Sequence, residues 1–264
     1  MRDLPAYDIV AQGMSGMMSI TGYPDTPPAR VGSSLGDVSA GLYAVTAILV
    51  ALYNRERTGK GQYVDVALLD SVFAFVETNV VRYTIGGVHP TRVGARHPLS
   101  APFDIYRCKD AHVIIAVASD PHFAKLCEMI GQPDLIKDPK FDSDPHRSEN
   151  DVELKAILEK FFADYTVAEA IEMMQARAIP CGPLCTVDEA CENPSILKRE
   201  MLVEIDQPGM GKVKITGNPM KLSETPADPR HPAPLLGQDT KEVLHDIFGY
   251  SDEQIAKWEE EKVF

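Results

Sequence analysis

The chain has no internal repeat, no low-complexity tract and no basic excess in its 264 residues. Its start, Met1-Arg2-Asp3-Leu4-Pro5, lacks the charged-then-apolar pattern of a signal peptide. No apolar run is read as approaching the length of a membrane span. The default expectation is a cytoplasmic protein with no membrane partner. Cysteine is sparse, with five residues: Cys108, Cys127, Cys181, Cys185 and Cys191. The Cys181-x3-Cys185-x5-Cys191 spacing has neither the usual zinc pattern nor a convincing histidine set. These cysteines read as small buried residues in a reducing compartment, and no metal is expected. The formal net charge is −13, and residues 1–100 hold eight basic and eight acidic side chains, so the acidic excess lies wholly beyond them. A nucleic-acid partner needs a basic face, and none is found. A small polyanionic ligand needs only local cations or backbone donors. The neutral first hundred residues are the better place for one.

What is present is enough apolar sequence, 44% of the chain, for a sizeable core. The most informative stretch is Gly36-Asp37-Val38-Ser39-Ala40-Gly41. From Val38 onward Gly41, Leu42, Val45, Ile48, Leu49 and Leu52 recur at helical spacing, predicting a helix from Asp37 to about Arg57. Asp37 then stands where unpaired N–H groups and the positive dipole end favour an anion. A carboxylate held in a dry, backbone-lined niche can act as a nucleophile towards an activated acyl group. On spacing alone, a simple helix cap is the commoner reading.

Before that helix, residues 8–20 read as a short buried helix, with Met14, Met17 and Met18 in the core. After it, Gly59 is a natural C-cap. Thr58-Gly59-Lys60-Gly61-Gln62 lacks the upstream glycine and following hydroxyl of a phosphate loop. Tyr63–Leu68 reads as a buried strand, and a helix follows from Asp70 to about Ile85. Gly86-Gly87 and His89-Pro90 mark a boundary, and the Gly-, Pro-, Arg- and His-rich stretch to Pro102 is a functional loop or linker. Phe103–Arg107 and His112–Ala118 form an expected hairpin. Helices near 121–130, 150–163 and 166–178 come next, then strands near 202–206 and 212–216, then helices near 239–248 and 251–260. Barely one βα unit precedes residue 90, where a Rossmann-type lobe needs several.

Several phrases are familiar together: Pro5-Ala6-Tyr7-Asp8-Ile9-Val10-Ala11-Gln12, Ser15-Gly16, Arg30-Val31-Gly32, Gly36-Asp37, Thr58-Gly59-Lys60-Gly61-Gln62 with Val64-Asp65-Val66-Ala67, His97-Pro98, Ile179-Pro180-Cys181-Gly182-Pro183, and Pro234-Leu235-Leu236-Gly237-Gln238-Asp239-Thr240. Their order and spacing resemble the class III CoA-transferases, the formyl-CoA, carnitine and bile-acid CoA-transferase type, from residue 5 to the C-terminus. The resemblance implies an α/β fold. Residues 1–90 would be an incomplete Rossmann-like large domain, 91–200 a small α+β domain, and 201–264 a C-terminal segment whose helices return to the large domain. It implies that the family's first half-domain is absent. It implies an interlocked homodimer, with an N-terminal half supplied separately as a further requirement.

The implied activity moves CoA from an acyl-CoA to a carboxylic acid, with CoA as substrate and no permanently bound cofactor. The implied nucleophile is Asp37. It would pass through an aspartyl anhydride and an aspartyl–CoA thioester. Leu4, Pro5, Ala6, Tyr7 and Leu68 fall at the implied CoA site, and His97, Leu99 and Ser100 at the acyl or acceptor site. His97 is read equally as a donor to the acceptor carboxylate or a structural loop residue, and Arg96 as solvated. Related acyl-CoA racemases carry a histidine where Tyr7 stands, and a phenol is a poor base near neutral pH. The racemase reading is therefore the weaker one. A catalytically inactive fragment or partner subunit of a split enzyme stays open beside the transferase. The Gly-x-x-His-Pro form of the loop at Gly94–Ser100 does not imply an oxalate-like small diacid.

Overall fold

The computed structural model describes residues 5–227 and 231–264. It divides into two compact units, Met1–Leu184 and Cys185–Phe264.

The first unit begins with helices. α1 (Asp8–Met14) and α2 (Met17–Ile20) replace the single helix expected over 8–20. The break falls at Gly16, whose φ of +86° is open to glycine without strain. α3 (Leu35–Thr58) is the long helix. It ends at Gly59, in the left-handed region at φ +70°, whose N–H donates to the Arg55 carbonyl at 2.8 Å. α4 (Leu68–Phe73), a 3-10 turn (Ala74–Val76) and α5 (Glu77–Thr84) follow. A small core of Ala11, Met17, Val72 and Val76 binds α1, α2 and α4 together.

Three expectations fail here. Tyr63–Leu68 is not a buried strand: Tyr63 is 91% exposed, and Leu68 already opens α4. An extended segment becomes a strand only by bonding to a neighbour, and among the described residues none precedes Phe103. Nor is α3 buried. Leu42, Val45, Ile48 and Leu49 all face solvent. α3 is also long and apolar enough, by length and composition alone, to cross a membrane, which corrects the expectation that no such run exists. Glycine, alanine and serine interrupt its large apolar residues, while the average over the helix remains apolar. Met14 is likewise exposed, whereas Met17 is buried.

The rest of this unit has its own core. β1 (Phe103–Arg107) and β2 (His112–Ala116) form the expected antiparallel hairpin, in register Phe103 to Ala116. β3 (Cys181–Pro183) adds to the free edge of β2, in the order β1-β2-β3. Against the sheet pack α6 (Asp120–Met129), α8 (Asp151–Phe162) and α9 (Val167–Gln175), with a 3-10 turn (Pro133–Lys137) and short α7 (Asp144–Glu149) between α6 and α8. Val113 and Ile115, two apart on β2, turn to one face and meet Phe123, Leu126, Leu154, Leu158, Phe162 and Met174. Thr166 and Glu169 close a reciprocal capping box that starts α9.

The second unit holds α10 (Val187–Glu192), α11 (Pro194–Lys198) and the hairpin β4 (Leu202–Gln207) and β5 (Gly211–Thr216). Gly209 and Gly211 supply the positive φ angles of its turn. Further on are α12 (Thr240–Glu242), a π-turn (Val243–Ile247) and α13 (Asp252–Glu260), the last capped by Ser251. Cys108 and Cys127 are buried, but Cys185 is exposed, against the expectation of burial.

Candidate active site

Asp37 lies in the first turn of α3, one turn later than a cap. Ser34 occupies the N-cap position and makes no side-chain cap bond. The Asp37 carboxylate is exposed and takes no hydrogen bond or ion pair among the described residues. The dry niche expected around it is therefore not formed in this chain. The buried carboxylate at this junction belongs to Asp8, on α1. Asp8 Oδ1 accepts the N–H of Gly36 at 2.7 Å, and Oδ2 accepts Nε2 of Gln12 at 2.8 Å. Gln12 Oε1 accepts the N–H of Val31 at 2.9 Å. Arg30 stands 4.0 Å from Asp8 Oδ2. The start of α3 is thus held by a side chain 28 positions upstream, because an orphan N–H at a helix N-terminus must find an acceptor.

Gly36 is the residue this packing requires. A Cβ there would lie 3.2 Å from both Asp8 Oδ1 and Val72 Cγ2, and 3.7 Å from Ala11 Cβ. Ala11 in turn helps line a cavity of about 360 Å³, with Pro5, Ala6, Val10, Met14, Ala67, Leu68, Leu69 and Asp70. Three of the residues expected at a CoA site, Pro5, Ala6 and Leu68, therefore share one largely apolar cavity. Tyr7 is 80% exposed and is not among its lining residues. Leu4 lies outside the described residues.

The linker residues are held separately. His97 is half-buried, with its ring 5.1 Å from that of Phe103. Its Nδ1 accepts the N–H of Leu99 at 3.2 Å, so neutral His97 carries its proton on Nε2 and presents a donor. Leu99 itself is exposed. Ser100 Oγ donates to Asp144 Oδ2 at 2.9 Å. Arg96 is not simply solvated: its Nε stands 3.2 Å from Asp151. No hydrogen bond or ion pair joins His97, Leu99 or Ser100 to Asp37 among the described residues. Asp8 and Gln12 were not singled out from sequence, although their i, i+4 spacing puts both on one face of α1.

The CoA-transferase family III model matches residues 1–240. The chain is 40% identical over 220 residues to an acetyl-CoA:oxalate CoA-transferase of Acetobacter aceti, covering 83% of this chain and 55% of that protein. It is 36% identical over 241 residues to a succinyl-CoA:mesaconate CoA-transferase of Haloarcula hispanica, covering 91% of this chain and 60% of that one. Its fold matches the crystal structure of a CAIB/BAIF family protein from Brucella suis with a TM-score of 0.75 and 31% identity, over 92% of this chain and 63% of that one. Helix-and-sheet architecture and sequence agree, and the chain belongs to CoA-transferase family III. It spans 55–60% of the length of these two curated relatives.

Proposed function

We propose that this chain carries the nucleophile of a transferase that moves CoA from an acyl-CoA thioester to a carboxylic acid. One observation supports this above the rest. Asp37 follows a glycine whose N–H is locked by a buried carboxylate, and Ala11 links that junction to the cavity lined by Pro5, Ala6 and Leu68. The cavity is lined largely by apolar side chains, which suits the thioester arm of CoA.

In this reading an Asp37 oxygen attacks the thioester carbonyl, the C–S electron pair leaves as CoA thiolate, and an acyl–aspartyl anhydride forms. The thiolate then attacks the aspartyl carbonyl, giving an aspartyl–CoA thioester and the free first acid. The acceptor carboxylate attacks that thioester, forming a second anhydride and again releasing thiolate. The thiolate closes the cycle at the new acyl carbonyl and regenerates Asp37. Each intermediate keeps one activated carbonyl, as anhydride or thioester, so water must be excluded. Nε2 of His97 is the donor assigned to the acceptor carboxylate. The names of the two curated relatives put oxalate and mesaconate first on the acceptor panel.

The family reading makes residues 1–90 part of a Rossmann-like large domain, 91–200 a small domain and 201–264 a segment rejoining the large one. The working enzyme in this reading is a homodimer in the cytoplasm. The solvent-facing apolar side of α3 favours a second reading, in which the chain works as one part of a split enzyme. The test is a CoA-transfer assay over a panel of acyl-CoAs and acids, run with and without a supplied N-terminal half. Asp37→Asn abolishes transfer in whichever preparation is active. Hydroxylamine added with acyl-CoA leaves a hydroxamate on the Asp37 peptide, detected by mass spectrometry. An unmodified Asp37 peptide in active protein overturns the reading.

A further inference from the structure

We infer that Asp8 is the positioning residue for Asp37, holding the Leu35–Gly36 peptide at the start of the helix that carries the nucleophile; this rests on the reading of Asp37 as nucleophile. Asp8 and Gln12 are both buried, on one face of α1. Together they grip the approach to α3 at three points: the N–H of Val31 on Gln12 Oε1, the carbonyl of Ser33 at 3.4 Å from Gln12 Nε2, and the N–H of Gly36 on Asp8 Oδ1.

The first N–H groups of α3 divide unequally. Leu35 donates to the Ser33 carbonyl at 2.9 Å, Gly36 to Asp8, and Val38 to the Ser34 carbonyl at 3.1 Å. The N–H of Asp37 alone among these four has no acceptor among the described residues. Asp8 therefore fixes the Leu35–Gly36 peptide, one residue ahead of Asp37, and so the course of the backbone from which the carboxylate projects. The N–H of the next residue, Asp37, stays unpaired among the described residues and is a donor for the negative charge that builds as the thioester carbonyl becomes tetrahedral. Asp8 itself takes no proton and forms no bond in the reaction.

A carboxylate is needed for this. Its two oxygens face two donors, Gly36 N–H and Gln12 Nε2. Asparagine has the same outline but must turn its NH2 towards one of them. Turning the Gln12 amide to compensate would break its bond to Val31. Charge-assisted bonds are also roughly twice as strong as neutral ones.

The experiment compares unsubstituted protein, Asp8→Asn and Gln12→Leu in the same active preparation. It reads the rate of CoA adduct formation on Asp37 by mass spectrometry, together with kcat, KM for acyl-CoA and the thermal midpoint. Asp8→Asn is expected to slow adduct formation and kcat by about 10²-fold, the cost of a misplaced reacting group. The KM for acyl-CoA stays within about twofold, as expected when only transition-state geometry is lost. Gln12→Leu, which spares the Gly36 bond, loses comparable thermal stability but keeps most of the adduct rate. Adduct formation at an unchanged rate in Asp8→Asn overturns this inference alone. So does a fall in rate that follows lost stability equally in both variants, or a rise in KM at constant kcat. No adduct in the active unsubstituted protein overturns the reading of Asp37, and this inference with it.

Discussion

Arg147 and Asp144, one turn apart on α7, hold the two sides of one residue, Ala101. Arg147 Nε donates to the Ala101 carbonyl at 2.9 Å, and Asp144 Oδ1 accepts the Ala101 N–H at 3.1 Å. Arg147 is fully buried, lies 4.5 Å over the Phe123 ring, and donates also to the Phe141 carbonyl and to Asp120. Asp144 binds Ser100 as well, so α7 fixes the end of the linker that carries His97. Arg147→Met keeps the apolar contact with Phe123 but leaves two buried carbonyls without a donor. The expected loss is about 3 kcal/mol of folding stability. Asp120 is 70% exposed. Asp120→Asn is therefore expected to cost about 0.5 kcal/mol, in the range of exposed ion pairs. Urea unfolding of both variants checks this; equal losses would mean that the ion pair, and not the carbonyls, holds Arg147.

Cys127, 1% exposed in the same core, gives a pH signature. Burial pushes its thiol up to about 12, with the Arg147 charge pulling the other way. An unfolded cysteine ionises near pH about 8.5. Below that pH the thiol is neutral in both states, and its contribution is whole. Above it the unfolded chain releases a proton that the folded chain keeps, so stability drains away as pH rises towards about 12. The slope is at most about 1.4 kcal/mol per pH unit. Cys127→Ala lacks this term and starts less stable because of the space it leaves. The gap between the two proteins should narrow from pH 8 to pH 11 in urea unfolding. Parallel curves would show that the thiol does not titrate on unfolding in that range.

The stretch from Phe103 to Thr216 was the most legible part of the sequence. Helices near 121–130, 150–163 and 166–178 and the Phe103–Ala118 hairpin fall within a few residues of their expected places, because each buries one periodic face against a core the same segment supplies; the strands near 202–206 and 212–216 also fall in place, as β4 and β5. β3 was missed because Pro180, Gly182 and Pro183 read as a break. It is an edge strand, where a missing N–H is tolerated. Tyr63–Leu68 went wrong for the opposite reason: β-branched and apolar residues favour extension, but a ladder needs a neighbour that local sequence does not supply. At the site, the sequence placed Asp37 at the start of α3. It could not show that the cap comes from Asp8, since spacing within one helix says nothing of which other helix lies against it.

The α3 surface makes the last prediction. Leu42 and Leu49, seven residues apart and each 60% exposed, lie on one side of the helix with Val38 and Val45 beside them. An apolar patch of this kind marks an interaction surface rather than an ordinary solvated face. Purified chain is expected to associate as concentration rises through the micromolar range in sedimentation velocity. Leu42→Glu with Leu49→Glu should abolish that association. Because neither side chain is in the core, the urea midpoint of the dilute chain should move by no more than about 0.5 kcal/mol. In an active preparation the same pair should lower CoA transfer by preventing assembly, and raising the protein concentration should restore part of it. If the unsubstituted chain stays monomeric and the charged pair leaves transfer intact, this face takes no part in the working enzyme.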